Sequence, residues 1–308
     1  MVAREVAVLF ALIGVGVVCR RAKLVDEFAI TGLVNVLILV VNPALVLDVF
    51  QRPFDRAMLS AFLIAFLIAS AVHVALIVLS RVTARGGAAE RPVLRLATVF
   101  SNAGFMGLPL QQAILGEQGV FFGVVYVATF NVFIWSWGLV TMRGRADGEG
   151  AAAGTLRAML VNPGTIGVAI GLPLFLFSVS LPTVIRTPVH LLGQLNTPLA
   201  MLVIGYYLAG AKLGAVVLRP TAHTAAFLRL IACPLLLVAA LYPYRGSLDR
   251  TMMLAMVTAS SAPVAAMVTM FAAKYRRDTD LSVGLVSGTT LMSIVTMPAV
   301  IALAMHYL

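Results

Sequence analysis

Ten long apolar runs separated by short polar loops constrain this chain more than any other feature. They lie at about 5–19, 28–49, 57–80, 94–116, 119–142, 158–179, 188–211, 222–242, 251–273 and 281–305. A helix needs about 20 apolar residues to cross a bilayer, so each run predicts one membrane span. The composition agrees, because 61% of the residues are hydrophobic and only 11% are charged. We therefore predict an all-α integral membrane protein with ten transmembrane helices, and exclude a soluble enzyme, a disordered chain and a secreted disulfide scaffold.

The basic residues lie mainly in the loops that follow the odd-numbered spans. Sixteen of the 22 lysines and arginines are on that side, counting Arg229, whose stem we expect to snorkel to the membrane surface. The positive-inside rule places these loops in the cytoplasm, so both termini are expected outside a cell membrane. Arg20, Arg21 and Lys23 follow the first span directly, which is typical of a retained span and not of a cleaved signal peptide. The net charge of +10 thus predicts orientation in a lipid bilayer and no nucleic-acid partner.

A polar, glycine- and alanine-rich stretch at 143–156 divides the chain into two halves of five spans, 1–142 and 157–308. Because five is odd, the second half must enter the membrane inverted relative to the first. Both halves carry helix breaks at corresponding places. These are Asn42-Pro43 in span two and Asn196 to Pro198 in span seven, Ser101 to Pro109 in span four and Ser260 to Pro263 in span nine. Matched breaks in inverted halves indicate the binding site of a transporter, although a single proline kink is common in membrane helices.

The breaks also predict the charge of the ligand. A proline or glycine break leaves backbone groups unpaired, and these are tolerated only when buried in protein or lining a wet cavity. After each break the second half-helix begins near the bilayer midplane, where its partially positive end favours an anion. No Asp or Glu lies deep in any predicted span, which argues against sodium/proton exchange. We find no metal-ligand spacing, no phosphate-binding loop and no sign of a cofactor.

Four segments resemble the auxin efflux carrier family. They are FSNAGFMGLPL (Phe100 to Leu110), the stretch from Ala262 to Pro298, NPALVL in span two and NTPLAMLVIGYYLAG in span seven. The resemblance implies two inverted five-helix repeats with crossed broken helices four and nine, as in bile-acid and sodium/proton transporters. It also implies a scaffold of spans one, two, six and seven. The short linker departs from the long loop of plant members and is typical of a compact bacterial member, related to malonate and dicarboxylate permeases.

The candidate substrate-binding residues are polar or backbone groups at the breaks. They are Ser101, Asn102, Gly104, Asn131, Asn42, Thr197, Ser260, Ser261 and Pro263. Asn102 and Asn131 match polar positions of the family, by resemblance. Several of these residues also have a structural alternative. Asn102 can satisfy the kinked backbone, Asn42 and Thr197 can act as helix caps, and Ser260 and Ser261 can bond to carbonyls of their own helix. His73 in span three is a candidate proton relay, with a simple interhelical hydrogen bond as its alternative.

These features favour a secondary transporter that moves a small organic anion, such as a dicarboxylate or an auxin-like carboxylate, by alternating access. A sodium-coupled symporter of organic anions, an ion channel, and a scaffold or sensor without transport stay open at this stage. The sequence gives no filter of the kind that channels use, and a scaffold would leave the matched breaks unexplained. The oligomeric state, including a homodimer, is also open.

Overall fold

Helices make up nearly all of the computed structural model, which describes residues 2–144, 163–210 and 219–308. In chain order they are α1 (Val2–Arg21), α2 (Glu27–Val49), α3 (Arg56–Thr83), α4 (Glu90–Val99), α5 (Ala103–Arg143), α6 (Pro163–Leu176), α7 (Thr183–Ala209), α8 (Pro220–Tyr244), α9 (Arg250–Ser261), α10 (Met267–Lys274) and α11 (Thr279–Tyr307). Most of the predicted linker 143–156 lies outside the described residues.

Six of these helices are long and apolar enough to cross a membrane, namely α2, α3, α5, α7, α8 and α11. The protein is thus an all-helical, multi-pass integral membrane protein. Helices α4, α9 and α10 have 10, 12 and 8 residues. At about 1.5 Å per residue none of these three reaches across a hydrocarbon core of about 30 Å. They lie in the sequence of predicted spans four and nine, where the prolines and glycines interrupt the helix.

Aspartates begin four of the helices. The carboxylates of Asp26, Asp55, Asp249 and Asp278 accept hydrogen bonds from backbone N–H groups in the first turns of α2, α3, α9 and α11, at 2.7–3.0 Å. Such N-caps satisfy donors that the helix itself leaves unpaired. Part of the small acidic content of the chain is therefore used to start helices.

Helix α5 turns back on itself at Gly116. The φ of 66° at this residue is in the left-handed region, which glycine adopts without a steric penalty. A Cβ on Gly123 would collide with the side chain of Gln111, 12 positions earlier, which a straight helix would hold about 18 Å away. The two arms of α5 therefore pack against each other as an antiparallel hairpin, and Gly123 permits their close approach.

The helices pack in two groups. Helices α1, α2, α6 and α7 contact one another, and α3, α4, α5, α8, α9, α10 and α11 form the second group. Within the first group, α1 and α7 touch backbone to backbone, because a Cβ on Gly16 would meet the carbonyl oxygen of Leu202 and lie 3.0 Å from the Cα of Gly205. Small residues at such contacts let membrane helices gain van der Waals packing.

An ionic cluster joins the beginnings of three helices in the second group. Arg219, just before α8, donates to the carboxylates of Glu90 at 3.1 Å and Asp278 at 2.5 Å. Burial raises the pKa of the Asp278 carboxyl, but the hydrogen bonds from Arg219 and from the Leu281 N–H outweigh it and hold the pKa below its usual value. The cluster fixes the ends of α4, α8 and α11 relative to one another.

We expect Gly16→Leu to lower the midpoint of thermal unfolding of the purified protein. A leucine there must push α1 and α7 apart, and overpacking of this kind costs about 1–3 kcal/mol. The matched control is Gly14→Leu on the same helix, where an added Cβ meets nothing within 4 Å. Equal midpoints for the two variants would contradict the close contact between α1 and α7.

Candidate functional site

Two interrupted helices cross at the centre of the second group. Helix α4 ends at Val99 before α5 begins at Ala103, and α9 ends at Ser261 before α10 begins at Met267. The two short segments between them run antiparallel, with Ser101 opposite Val264. We call this place the crossover, defined by residues 100–104 and 260–266.

Backbone N–H and carbonyl groups of the two crossover segments form hydrogen bonds with each other. The Asn102 N–H donates to the carbonyl of Pro263 at 2.7 Å, and the Ala265 N–H donates to the carbonyl of Phe100 at 3.0 Å. The Val264 N–H donates to the Thr289 hydroxyl of α11 at 3.1 Å. Groups that the proline and glycine breaks release therefore pair with each other, as burial away from water requires.

Arg229 of α8 lies at the crossover, and the prediction that it snorkels is wrong. Its side chain is fully buried. One terminal nitrogen, Nη1, donates to the carbonyls of Thr98 at 3.2 Å and Val99 at 3.0 Å, and the other, Nη2, donates to the carbonyl of Ser260. The C-terminal ends of α4 and α9 thus give the guanidinium hydrogen bonds and partial negative charge that lipid lacks.

Two of the predicted binding residues at the crossover, Asn102 and Gly104, are only partly buried. Asn102 is half-buried, and its side chain forms no hydrogen bond with the described residues. A Cβ on Gly104 would meet no atom within 4 Å. The Ser101 hydroxyl is buried and lacks a partner in the described chain. Asn102 is therefore available to a ligand at the first turn of α5.

The other predicted crossover residues are occupied by internal contacts. The Ser261 hydroxyl donates to the carbonyl of Thr258 at 2.9 Å, and the Ser260 hydroxyl oxygen lies 3.4 Å from Nη2 of Arg229. The carbonyl of Pro263 accepts from the Asn102 N–H. These contacts match the structural alternative for Ser260 and Ser261, and a substrate role for these two serines and Pro263 stays a prediction.

His73 sits in an aromatic cage next to the crossover. Its Nδ1 lies 2.8 Å from the carbonyl of Ala69 and therefore carries the hydrogen, and its buried Nε2 has no partner among the described residues. The ring stacks on Phe133 at 5.2 Å and lies 5.2 Å from Tyr126 and 6.0 Å from Phe100. The surroundings leave the imidazole enclosed, and its role as a proton relay stays a prediction.

Tyr126 was not predicted from the sequence, yet it lies at the centre of this region. It is fully buried, its hydroxyl forms no hydrogen bond with the described residues, and the side chains of Ser101 and Ser260 are its polar neighbours. A tyrosine inside an otherwise apolar span is the signal that would have found it, because a buried hydroxyl needs a polar neighbour.

Asn131 lies level with the crossover on the second arm of α5. Its Nδ2 donates to the carbonyl of Val127 at 2.9 Å, and the neighbouring Phe130 packs edge-on against Phe100 with ring centres 5.4 Å apart. The side chain is half-buried, so its oxygen remains available.

Helices α2 and α7 bring the remaining candidates together. They pack antiparallel, with the backbone of Leu45 against Gly193 and Asp48 hydrogen-bonded to His190 at 2.8 Å. The same register places Asn42 opposite Asn196, and the Oδ1 atoms of both asparagines are buried without a partner in the described chain. Thr197 follows directly and is half-buried.

A narrow apolar cleft separates the two helix groups beside the crossover. It has a volume of about 20 Å³ and is lined by side chains of α1, α5, α7 and α11, among them Met106, Met201, Ser293 and Met297. A cavity of this size holds about one water molecule. An organic anion therefore needs a different arrangement of the two groups in order to bind here.

The electrostatics of the crossover are positive. The starts of α5 and α10 carry the partial positive charge of helix N-termini, while Arg229 pairs with the opposite, C-terminal ends of α4 and α9. No Asp or Glu is buried in the part of the chain that the structure describes. The same residues contain no group of three or more His, Cys, Asp or Glu side chains able to hold a metal ion.

Comparison with known proteins identifies the family. No curated protein matches the sequence. A family model described as membrane transport protein matches residues 1–301, which is nearly the whole chain. The match confirms the resemblance found in the sequence motifs. The chain therefore belongs to the membrane transport protein family, which is that of the auxin efflux carriers.

Proposed function

We propose that the protein is a secondary transporter that moves a small organic anion, such as a dicarboxylate or an auxin-like carboxylate, across the cell membrane. Family membership makes it a membrane transporter. The observation that supports an anion is the crossover, where two helix N-termini meet and no buried carboxylate opposes them in the described chain.

We further propose the ten-span arrangement of two inverted repeats, 1–142 and 157–308, with both termini outside. In it, α4 with the first arm of α5 forms span four, the second arm of α5 forms span five, and α9 with α10 forms span nine. The group of α1, α2, α6 and α7 is the scaffold, and the group that holds the crossover moves against it. The apolar cleft between the groups supports this division.

Asn102 is the residue to which we assign substrate contact first. Its amide can donate to a carboxylate beside the start of α5, and its side chain has no competing hydrogen bond in the described structure. Gly104 leaves room for the ligand in front of that turn. Asn131, Asn42 and Thr197 complete the proposed site from α5, α2 and α7, and Ser101 contributes a buried hydroxyl.

The membrane potential is the driving force that we propose. An anion that leaves a negative-inside cell gains about 2.3 kcal/mol per charge per 100 mV, so export needs no coupled ion. Movement linked to protons is the second candidate. The observation that favours it is the Nε2 atom of His73, which has no hydrogen-bond partner within residues 2–144, 163–210 and 219–308.

We expect purified protein in proteoliposomes to transport at least one member of a panel of labelled mono- and dicarboxylates, with saturable kinetics. The membrane potential, the proton gradient and sodium are varied independently. Preference for an organic cation over every acid, or conductance far above carrier turnover, would contradict the proposed function. Strict sodium dependence would instead identify a sodium-coupled symporter.

Asn102→Ala is expected to weaken substrate affinity about 10- to 150-fold, because a hydrogen bond to a charged ligand group contributes about 1.5–3 kcal/mol. The measurement is the concentration dependence of uptake. Asn35→Ala is the matched control, since Asn35 of α2 is exposed on the surface of the helix bundle. Unchanged affinity and rate in Asn102→Ala would show that this asparagine only supports the backbone.

Alternating access predicts that a cysteine at Gly104 reacts with a membrane-impermeant thiol reagent from either side, depending on the conformational state. The background carries Cys19→Ser and Cys233→Ala, which remove the two free cysteines. Ala103→Cys is the control, because Ala103 is only 1% exposed and is expected to stay protected. Reaction of the Gly104→Cys variant from one side under all conditions would exclude alternating access at the crossover.

A further inference from the structure

We infer that Arg229 is a built-in cation of the crossover, which occupies the place where another transporter of this kind would bind a coupling metal ion. The inference rests on the proposed function in one respect, that the crossover is where the transported anion binds. The inference goes beyond that function because it assigns a role to Arg229, which lies outside the substrate site. It also predicts that removal of the Arg229 side chain creates a cation site.

The first observation is the set of groups around the guanidinium. Three backbone carbonyls, those of Thr98, Val99 and Ser260, accept hydrogen bonds from its two terminal nitrogens, and the Ser260 hydroxyl lies 3.4 Å from Nη2. Carbonyl and hydroxyl oxygens are the ligands that hard cations take in proteins. In transporters with broken helices, such oxygens at half-helix C-terminal ends coordinate sodium or protons.

The second observation concerns charge balance. Arg229 is fully buried and forms no ion pair with the described acidic residues. A buried charge without compensation is strongly unfavourable. Here the C-terminal ends of α4 and α9 each carry about half a negative charge, so two of them balance one guanidinium. The crossover is therefore neutral at this end without a metal ion.

The third observation is the shape of the side chain. Among the described residues, Nη1 donates its hydrogen bonds to α4 and Nη2 donates its hydrogen bonds to α9. One planar group therefore bridges two half-helices that belong to different halves of the sequence. A lysine has a single ammonium at the end of its stem and cannot reproduce this fork. Arg229 thus fixes the crossover geometry as well as its charge.

The test removes the guanidinium and offers other cations in its place. Purified Arg229→Ala is heated in detergent with millimolar sodium, potassium or guanidinium chloride, and choline chloride serves as the control for ionic strength. We expect a lower unfolding midpoint than in the wild type, with saturable recovery by guanidinium or by sodium. The wild-type midpoint is expected to be the same in all four salts.

Arg250→Ala is the matched control, because Arg250 also donates to a helix carbonyl, that of Met305 at 2.7 Å, but is exposed. The inference is overturned if Arg229→Ala unfolds at the wild-type midpoint, or if the two variants respond equally to the salts. Should Arg229→Ala yield no folded protein, Arg229→Gln, which keeps a polar side chain but removes the charge, is tested in the same four salts instead. A wild-type midpoint for that variant would likewise overturn the inference.

A transport readout separates this inference from the proposed function. If the wild type transports an acid without sodium, and Arg229→Ala transports that acid only with sodium or guanidinium, the result supports both the proposed function and the built-in cation. If the wild type transports an acid only with sodium, the built-in cation is excluded while anion transport remains. If the wild type transports no acid, but sodium or guanidinium raises the unfolding midpoint of Arg229→Ala alone, the proposed function is contradicted and the built-in cation is supported.

Discussion

The pairing of two interrupted helices through their backbones is the constraint on which the rest of this structure depends. Lipid offers no hydrogen bonds, so a membrane helix can be broken only where the released groups find partners in the protein. Here the segments around Asn102 and Val264 supply these partners to each other, and Thr289 adds a hydroxyl. The crossover can therefore place helix ends, with their charges, inside the bundle.

Helix ends at the centre of a membrane bundle create charge without ionised acids. The C-terminal ends of α4 and α9 are balanced by Arg229, while the beginnings of α5 and α10 remain partially positive. Asn102 lies at the positive side with a side chain that is not engaged by its neighbours in the described structure. The balance of the Arg229 charge and the proposed preference for a carboxylate thus arise from the same geometry.

The helical membrane fold and the place of the crossover were predictable from the sequence because each depends on residues that are close together in the chain. Apolar runs of sufficient length indicate spans, and Gly104, Pro109 and Pro263 mark the breaks. The role of Arg229 was not predictable in this way. Arg229 lies seven residues from the start of its predicted span, which is compatible with snorkelling. Its hydrogen-bond partners lie about 30 and 130 positions away in the sequence. Tyr126 was missed for a similar reason, because its polar neighbours come from other helices.

The central claim is that an organic anion crosses the membrane by way of the crossover without a coupled cation. A measurement of charge movement is its most direct test. Proteoliposomes adsorbed on a solid-supported membrane are exposed rapidly to an organic acid in sodium-free choline buffer, and the transient current is recorded. The account predicts a current with the sign of a moving anion that saturates with acid concentration. A current that appears only with sodium present, or one with the sign of a moving cation, would contradict it.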